Sequence, residues 1–298
     1  MIIDCAIIGG GPAGLNAALV LGRARRSAIL FDDNQPRNAV TQETHGFLTR
    51  DGVKPTELRA LAQQEISAYP SVTARQLRID EVHNQEDSFE LVANNGEVFR
   101  AKTIILATGL KETLPAIDGI HDYYGKSLFS CPFCDGWEHR DQPLVVISEG
   151  SYTFHMAILI WNWSHNLLVC TNGHQPLTDE QKEKLRSKEI QVIEDPITAL
   201  IGEQGMLERL TFATHEEQRR SGGIVAPQLF QASPFAAQLG CELNAMGGAV
   251  TDPFGRTTVK GIYAAGEVIM PSQLIVSASQ GSIAAAGVSI DLIQSEFV

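Results

Sequence analysis

The chain has 298 residues, and its 23 Lys and Arg against 35 Asp and Glu give a formal net charge of −12. This balance argues against a nucleic-acid groove, because phosphate binding needs concentrated Lys and Arg. The length predicts two domains, and 44% hydrophobic residues supply apolar material for two cores. The apolar stretches fall short of the roughly 20 residues of a membrane span and no export signal is visible, so we expect a cytoplasmic protein that binds no membrane.

The N-terminal segment predicts a strand, a tight turn, a helix and a second strand. Ile2–Ile8 is an apolar run, Gly9–Gly14 follows it, and Ala13–Leu21 has the composition of a helix. Ser27–Phe31 is a second apolar run that ends on Asp32. This order is the start of a βαβ unit.

The turn carries the pattern Gly-x-Gly-x-x-Gly, with the preceding strand and following helix that a dinucleotide site requires. Gly9 permits the sharp turn, Gly11 lets a pyrophosphate approach the backbone, and Gly14 allows close packing of helix on strand. The phosphates then face a helix N-terminus, which favours anions. Asp32 stands 18 residues after Gly14, near the roughly 20 expected for an acid that binds the ribose. The binding residues predicted here are Gly9, Gly11, Pro12, Ala13, Gly14 and Asp32.

The next region predicts a long polar loop over 36–51, one helix and several short strands. The hairpin signal Asn94-Asn95-Gly96 stands between two of those strands. The predicted elements are a helix over Lys54–Tyr69 and strands over Val72–Leu77, Ile79–Val82, Phe89–Val92 and Thr103–Ala107, the last ending on Thr108-Gly109.

A second, smaller α/β region starts near Leu114, and the chain then returns to the first. Its predicted elements are strands over Leu144–Ile147, Asn166–Cys170, Ile190–Ile193, Leu207–Phe212 and Gly222–Val225 and helices over Thr153–Asn162 and Thr178–Lys188. A strand over Gly261–Ala265 and a helix over Ser277–Ile293 complete the first region. The pattern predicts an α/β protein of two Rossmann-like domains with three-stranded accessory β layers, the first interrupted by the second.

The inserted region carries the pair Cys131-Pro-Phe-Cys134, followed directly by Asp135. A structural zinc site normally takes four ligands, and a second cysteine pair is missing, so we expect no metal. Unused surface cysteines remain an alternative, but Cys-x-x-Cys spacing lowers a thiol pKa and favours a redox dithiol. Asp135 is the candidate acid or base for thiol exchange, with capping of the turn as its alternative role. Trp137 is expected to pack.

The chain resembles the low-molecular-weight thioredoxin reductase family over essentially its whole length. The resemblance rests on Gly9–Gly14, Thr103–Gly109, Cys131–Gly136 and Gly261–Glu267. It implies an FAD domain over 1–113 and 232–298, and an inserted NADPH-type domain over 114–231 that carries the dithiol. It also implies a homodimer that acts on a thioredoxin-like protein or on a small disulfide or dithiol.

The resemblance assigns roles to further residues. Cys134 would face the flavin, and Cys131 would engage the external disulfide through a mixed disulfide. Gly266 and Glu267 would approach the ribityl chain, although the family usually has Asp where this chain has Glu267. The remaining cofactor residues that the resemblance implies are Val82 at the adenine, Ala107, Thr108 and Gly109 after a strand, and Gln273, Leu274 and Ile275 at the pyrimidine edge.

The loop residues Arg37, Asn38 and His45 resemble a side branch of this family. That branch contains fungal dithiol oxidases and disulfide reductases linked to ferredoxin or to a second flavin. Its members take electrons from donors other than NADPH or pass them to oxygen. Arg37, Asn38 and His45 are therefore predicted cofactor residues, with His45 beside the isoalloxazine or, alternatively, anchoring the loop.

The second nucleotide cradle departs from the family. Of its glycine-rich turn only Gly150 survives, Glu149 puts a carboxylate where a pyrophosphate would lie, and Leu168–Gly173 contains no Arg for a 2′-phosphate. The sequence therefore predicts that NADPH binds poorly and is not the efficient donor, with an electron-donor protein as a candidate partner. The alternatives are a dithiol oxidase that uses oxygen, a non-catalytic flavin-binding redox sensor, and a second flavin in the vacated crevice.

Overall fold

A computed structural model describes residues 2–298, and the chain forms two compact units. The first unit comprises 2–39, 46–111 and 229–298, and the second comprises 40–45 and 112–228. The predicted domain limits differ most at 40–45, which the sequence analysis placed in the first domain. This segment packs on the second unit: a Cβ added at Gly125 would lie 2.5 Å from the carbonyl oxygen of Val40.

The first part of the chain alternates strands and helices before it forms a hairpin. Its elements are β1 (Ile2–Ile8), α1 (Pro12–Arg23), β2 (Ala28–Phe31), α2 (Pro55–Ser67), β3 (Val72–Arg75), β4 (Ile79–Asn84), β5 (Phe89–Ala93) and β6 (Val98–Leu106). The predicted hairpin turn joins β5 to β6. β6 begins earlier than the predicted strand because its first half pairs antiparallel with β5 before its second half pairs with β1.

The insertion and the return to the first unit follow in chain order. The insertion contains β7 (Leu110–Thr113), α3 (Ile120–Tyr123), β8 (Leu128–Phe129), α4 (Pro132–Asp135), β9 (Leu144–Ile147), α5 (Thr153–Ile160), β10 (Leu167–Cys170), α6 (Asp179–Arg186), β11 (Gln191–Ile193), β12 (Ile197–Glu203), β13 (Met206–Phe212), β14 (Gln218–Arg219), β15 (Gly222–Val225) and β16 (Gln228–Gln231). The return adds α7 (Phe235–Gln238), β17 (Ile262–Ala264) and α8 (Leu274–Phe297).

The first unit is built on a seven-stranded sheet. Its order is β3-β2-β1-β6-β5-β4, and β17 also pairs with β6. β1, β2, β3, β17 and the second half of β6 run parallel, whereas β4 and β5 add an antiparallel layer. α1 and α8 pack together over the parallel part so closely that a Cβ added at Gly281 would lie 2.0 Å from the carbonyl oxygen of Ala13.

The second unit has a five-stranded parallel sheet of order β11-β10-β9-β15-β8. Every residue of β9 and β10 is buried, as expected for parallel strands covered on both faces. A separate antiparallel layer has the order β12-β13-β14. β12 was not predicted, because its Ala and Gly weaken the strand signal; pairing with β13 stabilises it. The predicted α/β class with Rossmann-like sheets and three-stranded layers is confirmed.

Among residues 2–298, α8 is long and apolar enough to cross a membrane by length and composition. A buried core helix can have the same length and composition, so these two properties are weak evidence for a membrane span. The face of α8 that carries Ala284, Ala285 and Val288 is buried in the core of the first unit together with α1. α8 is therefore explained as a core helix of this unit.

Candidate active site

The turn between β1 and α1 combines two tightly packed glycines with one open glycine. A Cβ at Gly9 would lie 2.2 Å from the carbonyl oxygen of Ala107, and one at Gly14 would lie 1.8 Å from that of Gly9. Around Gly11, by contrast, no atom lies within 4 Å of the Cβ position. α1 begins at Pro12 and has no side-chain cap. An exposed helix N-terminus above a bare backbone fits the pyrophosphate of a dinucleotide.

Asp32 follows β2 and lies beside this turn, as predicted for an acid that binds the ribose. Its carboxyl carbon would be 2.5 Å from a Cβ at Gly10, so the side chain covers the glycine turn. Arg59 of α2 donates to the Asp32 carboxylate. Arg59 was not predicted, because nothing in the sequence around a single helical arginine indicates which distant residue it pairs with.

The structure brings together two predicted cofactor residues that are far apart in sequence. The Arg37 guanidinium donates to both Glu267 oxygens, with Nη2 2.8 Å from Oε1 and Nε 3.3 Å from Oε2. Gly266 has φ +77° and packs close to Ala13 at the start of α1. Its amide donates to Gln280 at 2.9 Å. The Glu267 carboxylate therefore belongs to the same edge of the sheet as the glycine turn, where its longer arm reaches Arg37.

The other predicted cofactor residues occupy strand and helix ends in the first unit. The Ser233 hydroxyl donates to Thr108 at 2.9 Å, just after β6, where Ala107 and Gly109 also lie. Gln273 is the residue before α8, and Leu274 and Ile275 form its first turn. Asn38 lies in the 3-10 turn Arg37–Val40.

Val82, the predicted adenine contact, lies on β4. Its side chain is buried in the core of the first unit. β4, which contains it, is the edge strand of the sheet. A contact with adenine would therefore use the backbone of this edge strand rather than the valine side chain.

In the second unit Cys131 and Cys134 are joined by a disulfide. Cys131 precedes α4, and its carbonyl oxygen accepts from the amides of Cys134 and Asp135 at 3.1 and 3.2 Å. Pro132 is buried at the first helical position, where its fixed φ suits the turn. This local helical turn holds the two sulfur atoms side by side and carries Asp135 directly behind them.

Asp135 has the electrostatics of an acid or base that works near neutrality. Its pKa is raised to about 6, chiefly by burial; His45 lowers it and Glu138 raises it. The His45 Nε2 atom lies 3.7 Å from a carboxylate oxygen of Glu43 and 3.7 Å from one of Glu138. A carboxyl group that titrates near the working pH exchanges protons efficiently.

The surface beside the disulfide is aromatic. Phe133 and Trp137 are 62% and 65% exposed, so the expected packing of Trp137 is limited to its stacking with Arg140. Phe133 meets Trp163 edge to face at 5.4 Å, and Arg140 stacks over Trp137 at 4.0 Å. The disulfide thus has an apolar border available to a partner.

The turn between β9 and α5 is occupied by its own side chains. Thr153 donates to the carbonyl oxygen of Gly150 at 2.6 Å and so closes the turn. Asn172, just after β10, donates to the Glu149 carboxylate at 2.7 Å and accepts from the Ile197 amide at 2.9 Å. A carboxylate therefore bridges the carboxyl ends of two adjacent parallel strands, where nucleotides bind in such sheets.

Comparisons with known proteins identify the family. The model of the pyridine nucleotide-disulphide oxidoreductases matches residues 3–286, and the chain belongs to this family. The crystal structure of a putative thioredoxin reductase TrxB from Bacillus anthracis is 46% identical, with a TM-score of 0.95 and 99% of both chains covered. Thioredoxin reductase aclD from Aspergillus oryzae is 30% identical over 300 residues, which are 96% of this chain and 95% of that protein.

A third relative matches only in part. A probable thioredoxin reductase from Arthroderma benhamiae is 35% identical over 176 residues, which are 57% of this chain and 44% of that protein. Together these findings confirm the predicted family and class: the chain is a thioredoxin reductase-like FAD oxidoreductase that acts on disulfides. The open turn at Gly11 fits this cofactor. Among residues 2–298 no group of three or more His, Cys, Asp or Glu could hold a metal ion.

Proposed function

We propose that this enzyme exchanges electrons between FAD and the Cys131–Cys134 disulfide, and then with an external disulfide, without NADPH as an efficient donor. The observation that carries the proposal is the Glu149–Asn172 contact of 2.7 Å. It puts a negative charge at the turn that would have to bind a pyrophosphate. Like charges repel, and Asn172 has no positive charge with which to bind a 2′-phosphate.

The residues of the second unit supply the thiol chemistry. FAD, when bound, provides or accepts the two electrons. Reduction of the Cys131–Cys134 bond gives two thiols, and the Cys131 thiolate attacks the external disulfide and releases its first thiolate. Cys134 then displaces the second thiolate and restores the original bond. Asp135 delivers the proton that each departing thiolate needs.

The proposed partners follow from the surroundings of the disulfide. The exposed rings of Phe133 and Trp137 support docking of a thioredoxin-like protein or of a small apolar disulfide. An electron-donor protein takes the place of NADPH. A homodimer is also proposed, and the exposed apolar side chains of Val276, Ile283 and Ile290 on α8 support it.

The test is anaerobic mixing of the FAD-loaded enzyme with NADPH. The flavin should keep its oxidised absorbance with micromolar NADPH and lose it with dithionite. Cys131→Ser and Cys134→Ser should each abolish turnover of an external disulfide while FAD stays bound. Rapid stoichiometric bleaching by NADPH would refute the proposed donor specificity.

The same remodelled turn also favours the reverse reaction, in which a small dithiol reduces the flavin and oxygen reoxidises it. Peroxide released in proportion to dithiol consumed would identify this dithiol oxidase. A second flavin in the same crevice is less compatible with Glu149, because its pyrophosphate is also an anion. One FAD released per chain would exclude that second flavin.

A further inference from the structure

His45 lies in a group of three carboxylates beside the disulfide, here called the carboxylate cluster: Asp135, Glu138 and Glu43. The His45 Nε2 atom is 3.7 Å from both Glu43 and Glu138. Glu138 follows Asp135 by three residues, about one helical turn further along the chain. His45 is 17% exposed, whereas Glu138 and Glu43 are 38% and 58% exposed, so the imidazole sits on the inner side of the cluster.

The segment that carries His45 is anchored on the second unit. Thr44 is only 2% exposed, and the Val40 carbonyl occupies the space next to Gly125. A buried neighbour on its N-terminal side restricts where the His45 side chain can go. The packing of this segment on the second unit therefore determines where the imidazole lies among the carboxylates.

His45 is the basic group of the cluster, and it acts on Asp135 against two unfavourable effects. Burial disfavours the charged form of Asp135 and raises its pKa, and Glu138 raises it too, whereas His45 lowers it. Without His45, the remaining charged neighbours of Asp135 in the cluster are carboxylates, and Asp135 would hold its proton more tightly.

We infer that His45 is a positioning residue for the thiol chemistry, which compensates the charge of Asp135 beside the Cys131–Cys134 pair. This inference rests on the proposed function, in which Asp135 exchanges protons with the dithiol. It also gives His45 a partner within the second unit, whereas the sequence suggested flavin tuning or loop anchoring. His45 acts through Asp135.

The test uses opposite charge changes on the FAD-loaded enzyme. Anaerobic bleaching of the flavin by dithiothreitol is followed from pH 5 to 9, and each rate is divided by the fraction of dithiothreitol that is ionised at that pH, so that titration of the reagent cancels. His45→Gln should move the inflection assigned to Asp135 to higher pH by about one unit, because an attractive charge is lost. Glu138→Gln should move it to lower pH.

Two further variants make the result specific. His45→Lys places a positive charge at this position and should retain most of the wild-type profile. His83→Gln is the matched control, since His83 also pairs with a carboxylate, Glu81 at 2.9 Å, on an exposed strand of the first unit. Its profile should equal that of the wild type.

The inference is overturned if His45→Gln leaves the inflection in place, or if the Gln variants at 45 and 138 shift it in the same direction. If His45→Gln does not fold, Glu138→Gln alone decides, and an unmoved inflection refutes the cluster. Failure of the proposed function looks different. In that case wild-type flavin would not respond to any dithiol, and Cys131→Ser would behave like the wild type.

Discussion

The two strand–turn–helix cradles of this chain have the same backbone plan and opposite chemistry. At the β1–α1 turn, Gly11 leaves its surroundings open and the helix N-terminus free of a side-chain cap. At the β9–α5 turn, Glu149 is fixed by Asn172, and Thr153 closes the turn. The sheet and helix of a Rossmann-like fold are therefore present in both units although the residues of the two turns differ. We expect nucleotide binding to depend on a few residues of the turn.

Transferring the acid of the second cradle to the first is the most severe test of this comparison. Gly11→Glu should weaken FAD binding at least about 100-fold, since one poorly placed charge against a phosphate costs on the order of 3 kcal/mol. Because no atom lies within 4 Å of the Cβ position, the chain should still fold. The measurement is the FAD dissociation constant by flavin fluorescence. Gly11→Ala is the control and should bind FAD more tightly than Gly11→Glu; equal binding would contradict the comparison.

The reciprocal change should open the second cradle. Glu149→Gly combined with Asn172→Arg removes the carboxylate and adds a cation for the 2′-phosphate. We expect the rate of flavin bleaching by NADPH to rise about tenfold, which corresponds to about 1.4 kcal/mol. Stopped-flow absorbance measures it, and dithiothreitol serves as the donor that should be unaffected. An unchanged NADPH rate would mean that other parts of the second unit prevent binding.

The second unit carries the Cys131–Cys134 disulfide, and Asp135 behind it links ionisation to stability. Its pKa of about 6 in the folded protein exceeds the ordinary value of 3.8. Folding therefore favours the protonated form, so stability is full below pH 4 and falls as the pH rises through 6. Asp135→Asn should raise Tm at pH 8 and leave it unchanged at pH 4, with a gain of about 3 kcal/mol at most. A gain of the same size at both pH values would point to a cause other than ionisation.

The sequence predicted most of the α/β pattern because buried parallel strands and glycine turns have local signatures. β9 and β15 were predicted with the bounds that the structure shows. β12 was missed because its stability comes from pairing with β13. The exposure of Trp137 was not predicted either, because an aromatic residue type alone does not show whether the side chain faces the interior or the surface.

By itself the sequence determined which chemistry the chain can carry: a glycine turn for a dinucleotide, a Cys-x-x-Cys pair, and a second turn that contains an acid. These features are local, because each depends on neighbouring residues and on backbone geometry. Only the tertiary structure decided the pairings of Arg37 with Glu267, of Arg59 with Asp32, and of His45 with Glu138. Such ion pairs join residues far apart in the chain, so their formation depends on how strands and loops pack. The local sequence motifs indicate the reaction, and tertiary packing determines which charged groups surround the reacting residues.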